Sequence, residues 1–152
     1  MIARQGSQGR VFVLRLEDGD RMPSCLEQFA AENGIESALA VMLGGVGAGR
    51  IVVGPEDGTA TPITPMLHQI ADVCEVAALG TLFPDAAGKP VLHMHAALGR
   101  GDETHTGCIR PGIEVWKIAE VVVLEILGTG LSRVVDAALG ATVLDAAGPP
   151  SK

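Results

Sequence analysis

The stretch Val91-Leu92-His93-Met94-His95-Ala96-Ala97-Leu98, with Thr106-Gly107-Cys108-Ile109 beyond the next turn, decides how this chain is organised. Successive side chains of a strand point to opposite faces, so Leu92, Met94, Ala96 and Leu98 make one wholly apolar face while His93 and His95 share the other. The apolar face requires a core to bury it. The opposite face carries two imidazoles pointing the same way, which is half of a metal site.

The intervening Gly99-Arg100-Gly101-Asp102-Glu103-Thr104 reads as the turn of a hairpin. Centred between Gly101 and Asp102, it sets His95 opposite Cys108 and Leu98 opposite His105, and cross-strand partners share a face. That register adds Cys108 to the histidines. A slip of one residue would turn Cys108 away and bring His105 instead, leaving His105 as the alternative third ligand. Two imidazoles and a thiolate suit zinc or another divalent transition metal, with water or a small ligand completing the shell.

Outward from the hairpin the chain reads mainly as strands. A strand over residues 11–16 closes at the turn Glu17-Asp18-Gly19-Asp20 and hands over to a helix over 23–33. Pro23 suits the helix start, Cys25, Leu26, Phe29 and Ala30 recur at helical spacing, and Gly34 after Asn33 is a stop signal. Two apolar strands follow at 38–43 and 50–53, separated by Gly44-Gly45-Val46-Gly47-Ala48-Gly49. That run lacks the spacing of a dinucleotide fingerprint and leads into a strand, so a bend or bulge in a sheet is expected. After a polar excursion over 54–65, residues 68–83 form one long strand or two short ones, 84–90 a loop, and 113–127 the longest β segment. The segment 131–147 is expected to give a short helix and a small strand. Residues 1–9 read as an irregular N-terminus, 10–146 as a single domain and 147–152 as a tail.

Composition limits what the chain can bind. Apolar residues make up 47% and charged residues 19%, with mean hydropathy +0.34, more apolar surface than a small monomer readily covers; association with further copies is the expected remedy. A net charge of −7 and a pI near 4.9 have the wrong sign for gripping phosphate backbones, and 3% aromatic residues leave little for base stacking, so direct nucleic-acid binding is disfavoured. Three cysteines, an odd number, argue against a disulfide framework, and with no secretory signal pattern the expected address is the cytoplasm. No apolar run approaches the length of a membrane span.

Other groups that carry chemistry are fewer. Along 113–127 the even positions Glu114, Trp116, Ile118, Glu120, Val122, Leu124 and Ile126 set Glu120 in the middle of an apolar face, where a carboxylate must be paired, hydrogen-bonded or protonated if it is buried. Glu75 poses the same question more weakly. His68, Asp72 and Cys74 alternate into a second polar cluster. No nucleophile elbow, phosphate-binding loop or metalloprotease helix is present.

The order of these signals resembles the plants-and-prokaryotes conserved (PPC) domain family. The residues that carry the likeness are Gly34-Ile35-Glu36-Ser37-Ala38, Gly45-Val46-Gly47-Ala48, Cys74-Glu75-Val76 leading to Gly80, Gly88-Lys89-Pro90-Val91-Leu92-His93-Met94-His95 and Ala119-Glu120-Val121-Val122-Val123. The resemblance implies an α/β fold of α+β type, a mostly antiparallel sheet with one main helix, assembled as a homotrimer whose clustered histidines can hold a metal. His93 and His95 fall on the family's His-x-His pair, and Cys108 stands where the family usually has a third histidine. In plants the domain accompanies AT-hooks, and many bacterial members carry a DNA-binding label; this chain has no Arg-Gly-Arg-Pro hook. The fold is also similar to that of acetolactate decarboxylase, a zinc enzyme. Two functions are therefore expected: a homotrimeric assembly or ligand-binding module with a zinc site, or a lyase-like metal enzyme acting on a small oxo or hydroxy acid. In the second, Glu120 or Glu75 would move a proton and Arg50, Arg110 or Lys117 would meet the acid.

Overall fold

Strand alternation, rather than helix packing, organises the chain. The computed structural model describes residues 1–146, and the tail expected at 147–152 lies outside them. In chain order the elements are β1 (Ser7–Glu17), β2 (Arg21–Met22), α1 (Ser24–Glu32), β3 (Ala38–Pro55), β4 (Pro65–Gln69), β5 (Cys74–Pro84), β6 (Pro90–Arg100), β7 (Glu103–Cys108), β8 (Ile113–Leu127), β9 (Ser132–Asp136) and β10 (Ala141–Asp145). The main sheet runs β1-β8-β3-β5-β6-β7 with every neighbour antiparallel, and β2 and β4 add to β8 and β3. The far end of β3 also pairs with β7 through Val52 and Cys108, so β3, β5, β6 and β7 curl into a closed ring. Cys108 sits at that closure.

One face of the sheet makes the core. Ala38, Ala40, Met42 and Val46 of β3, Leu92, Met94, Ala96 and Leu98 of β6 and Val115, Ala119, Val121 and Val123 of β8 are all buried. Leu26 and Ala30 of α1 close over this face, and Glu27 accepts a hydrogen bond from the Leu92 amide at 2.9 Å. The helix matches the sequence expectation at both ends, with Pro23 and Asn33 flanking it and Gly34 in the left-handed region at φ +62°.

The other face of the sheet remains open in the single chain and is apolar. Val13, Leu43, Leu79 and Ile118 are 75%, 56%, 58% and 53% exposed. Glu120 lies on this face and is exposed, so the face around it is apolar without being buried. The buried carboxylate of β8 is Glu125, of the opposite parity. Arg10 meets both its oxygens, with Nε 2.8 Å from Oε2 and Nη2 2.6 Å from Oε1, and the Arg10 amide also donates to Oε2. These bonds hold the Glu125 carboxyl down at about 2.

Three expectations are corrected. The segments 38–43 and 50–53 are parts of one strand, because the glycines between them lie inside the ladder instead of interrupting it. A Cβ at Gly44 would stand 2.5 Å from the Ala119 Cα, and the register slips at Gly44/Gly45 and Val46/Ala48, so the glycines permit the expected bulge against β8. The described part of the 131–147 segment, 131–146, holds no helix: β9 and β10 form a hairpin, with the β-branched Val134, Val135, Thr142 and Val143 on its strands and Gly140 at φ +65° in its turn. The irregular N-terminus is shorter than expected, since Ser7 already pairs with Leu127. The 68–83 segment resolves into two strands, β4 and β5.

Two outcomes follow. Gly44→Ala combines a φ of +142° with a backbone clash, and urea denaturation is expected to show a loss of about 2–3 kcal/mol. The Arg10–Glu125 pair stabilises the fold above the ordinary carboxylate range and loses that effect as pH falls toward about 2. The melting-temperature gap between wild type and Glu125→Gln should therefore hold from pH 7 to about 4.5 and narrow below it; a gap independent of pH would contradict this.

Candidate metal centre

The β6–β7 hairpin has the register that strand parity requires. His95 pairs with Cys108, Ala97 with Thr106 and Leu98 with His105. His93, His95 and Cys108 consequently share the outer face, and one ligand atom from each lies within 4.8 Å of the others. His105 follows the parity of Leu98. It stacks instead on His68, ring centroids 3.8 Å apart, and lines with it a cleft of about 630 Å³ that also touches Asp72, Cys74, Arg100 and Glu103. His68, Asp72 and Cys74, read from the sequence as a second polar cluster, thus come together at the starts of β5 and β7 and the end of β4, apart from the first.

The donor set fits a divalent transition metal. The Nε2 atoms of His93 and His95 are 3.1 Å apart, and on a tetrahedral zinc with bonds of about 2.05 Å two nitrogens stand about 3.3 Å apart. Two imidazole nitrogens this close have facing lone pairs unless a proton or a cation lies between them. Cys108 is buried, His93 half-buried and His95 exposed, so the cluster opens outward on the exposed face.

Electrostatics keep His93 in its ligand form. Burial pushes its imidazole down to about 4, assisted by the guanidinium of Arg133, by His95 and by Arg110. Of the cations proposed from sequence, Arg110 follows the cluster directly and acts on it; Arg50 is exposed on β3, and Lys117 reaches toward Asp18 at 3.9 Å. Arg133 is a residue beside the cluster that sequence reading missed. It lies on β9 and is 6% exposed, and its Nη2 donates to the Thr81 hydroxyl at 2.8 Å and to the Thr81 carbonyl at 3.2 Å. Thr81 is the cross-strand partner of His93. Nothing in the local pattern Ser132-Arg133-Val134-Val135 signals that contact, which depends on how the hairpin docks.

The two carboxylates considered for proton transfer are not brought to the cluster. Glu120 pairs with Leu43, Leu43 with Ala77 and Ala77 with Ala97, three strand spacings or about 14 Å from β6. Glu75 pairs with Gly99, four residues or about 13 Å along β6 from His95.

Residues 3–127 match the profile of the Plants and Prokaryotes Conserved domain. The chain belongs to that family. Among solved structures, this PPC-domain chain is similar to a metal-containing protein of Archaeoglobus fulgidus at 25% identity, with a TM-score of 0.82 over 94% of this chain and 98% of that one. A plant- and prokaryote-conserved protein of Pyrococcus horikoshii shares the fold at 22% identity and TM-score 0.79, covering 94% and 99%. A Ralstonia eutropha protein provisionally described as DNA-binding shares it at 23% and 0.68, covering 88% and 89%. No curated protein matches the sequence. The mostly antiparallel sheet with one helix is the fold expected of the family, and no helix among the described residues is long and apolar enough to cross a membrane.

In metal-free protein the His93 ring resonances should titrate near pH 4 by NMR. Because the unfolded chain takes up that proton more readily, stability should fall as pH drops from the ordinary imidazole range toward 4. A His93 midpoint at or above 6 would contradict the assignment.

Proposed function

We propose that this PPC-domain protein is a zinc-binding homotrimer, an assembly or ligand-binding module whose metal is held by His93, His95 and Cys108. The observation that carries the reading is the convergence of two imidazoles and one thiol on a single sheet face, within 4.8 Å. Thiolate and imidazole together favour zinc over the hard oxygen-seeking cations, and three protein ligands leave a fourth position for water or a small molecule. The Archaeoglobus fulgidus protein of the same fold, described as metal-containing, supports the metal assignment.

Support for the trimer comes from the exposed apolar face, which spans β1, β8, β3 and β5 and adjoins the metal cluster, and from the family resemblance. Each copy would cover that face on its neighbour. Three free cysteines fit a reducing compartment, and we place the protein in the cytoplasm. Direct DNA binding is not proposed: the net charge of −7 opposes it, and the description of the Ralstonia eutropha structure speaks for that protein only. The enzymatic alternative has less support, because Glu120 and Glu75 stand too far from the cluster to move a proton there.

Metal analysis after zinc loading and dialysis should find about one zinc per chain in wild type and in His105→Ala. Loss of ten-fold or more in zinc affinity is expected in His93→Ala and Cys108→Ser. Zinc retained by Cys108→Ser but lost by His105→Ala would overturn the ligand assignment. Light scattering should give three chains per particle, and a monomer at micromolar concentration would contradict the trimer.

A further inference from the structure

Two arginines, Arg110 and Arg133, flank the cluster, and among the described residues neither is paired with a carboxylate. Arg133 is nine-tenths buried, its Nη2 is anchored on Thr81, and its Nε–H is buried without an acceptor. Arg110, two residues past Cys108, is exposed, and neither arginine forms an ion pair among the described residues. Burial depresses the Arg133 guanidinium, with the like charge of Arg110 acting in the same direction and Cys108 opposing it. A buried cation left without a counter-charge is costly. A divalent metal on two neutral imidazoles and one thiolate adds a further net positive charge to this corner.

We propose that the cluster is an anion-binding centre, in which a small carboxylate takes the open side of the metal and is held by Arg110 and Arg133. The inference rests on the reading of His93, His95 and Cys108 as metal ligands. Arginine's planar donors match a carboxylate's two oxygens, and the low-dielectric position of Arg133 strengthens that attraction. Thr81 fixes the guanidinium at the strand position opposite His93, and it lies over the Phe83 ring, with the guanidinium carbon 5.7 Å from the ring centroid. Arg133 is supplied by the β9–β10 hairpin, beyond residues 3–127 that match the family profile.

Cobalt(II)-loaded protein separates the two readings, since a thiolate-to-cobalt band reports the metal site without any ligand. Pyruvate, acetate, inorganic phosphate and neutral acetone would each be titrated while the cobalt spectrum is followed. Saturable change with pyruvate or acetate in the submillimolar range and none with acetone is expected. In Arg133→Met the cobalt band should persist and carboxylate affinity fall at least ten-fold, with partial recovery in Arg133→Lys. Wild-type affinity in a folded Arg133→Met, or preference for phosphate over both carboxylates, would overturn the proposal. If circular dichroism shows Arg133→Met unfolded, Arg110→Met decides instead: a three-fold or greater loss supports the anion site and unchanged affinity overturns it. A wild-type protein that shows no thiolate-to-cobalt band would refute the metal reading itself, whereas a band with no carboxylate response would refute only the anion site.

Discussion

Antiparallel pairing of β6 with β7, in the register that sets His95 opposite Cys108, is the constraint on which both the core and the site depend. A one-residue slip would expose Leu92, Met94, Ala96 and Leu98 and bury both histidines, so the apolar face penalises any other register by several buried side chains at about 1.5–3 kcal/mol each. Hydrophobic burial thus fixes the position of the ligands without any contribution from the ligands themselves. The closure of β7 onto β3 at Val52 then holds Cys108 from its other side.

The sheet divides its labour between its faces. The inner face, closed by α1, supplies the fold's stability, while the outer face keeps a broad apolar surface in the single chain and carries the histidine–cysteine cluster at one side. A trimer that buries the outer face would place the cluster next to a subunit boundary. The β9–β10 hairpin contributes Arg133 to the cluster from outside the main sheet.

Much of this was legible in the sequence, and the residues explain why. The period-two pattern of residues 91–98 gave the strand, its inward face and the histidine pair, and the even-numbered turn gave the partner Cys108. Pro23 and Gly34 bounded the helix by backbone chemistry that acts locally. Glu120 shows the limit of the same method: both parities of β8 are apolar, so alternation cannot say which face is buried, and the carboxylate that needed a partner was Glu125 with Arg10. The glycines of β3 read as an interruption because a glycine demanded by close approach of β8 looks the same in sequence as one demanded by a turn. Arg133 had no local signal at all, since its role comes from docking against Thr81, 52 residues earlier in the chain.

In the proposed centre two imidazoles and the Cys108 thiolate bind one metal ion together. X-ray absorption at the zinc edge of the loaded protein tests it most directly, because scattering distinguishes sulfur from nitrogen by distance and phase. The expected shell has one sulfur at about 2.3 Å and two imidazole nitrogens at about 2.0–2.1 Å, with a lighter atom completing it. A first shell of nitrogen and oxygen alone, with no sulfur, would contradict it.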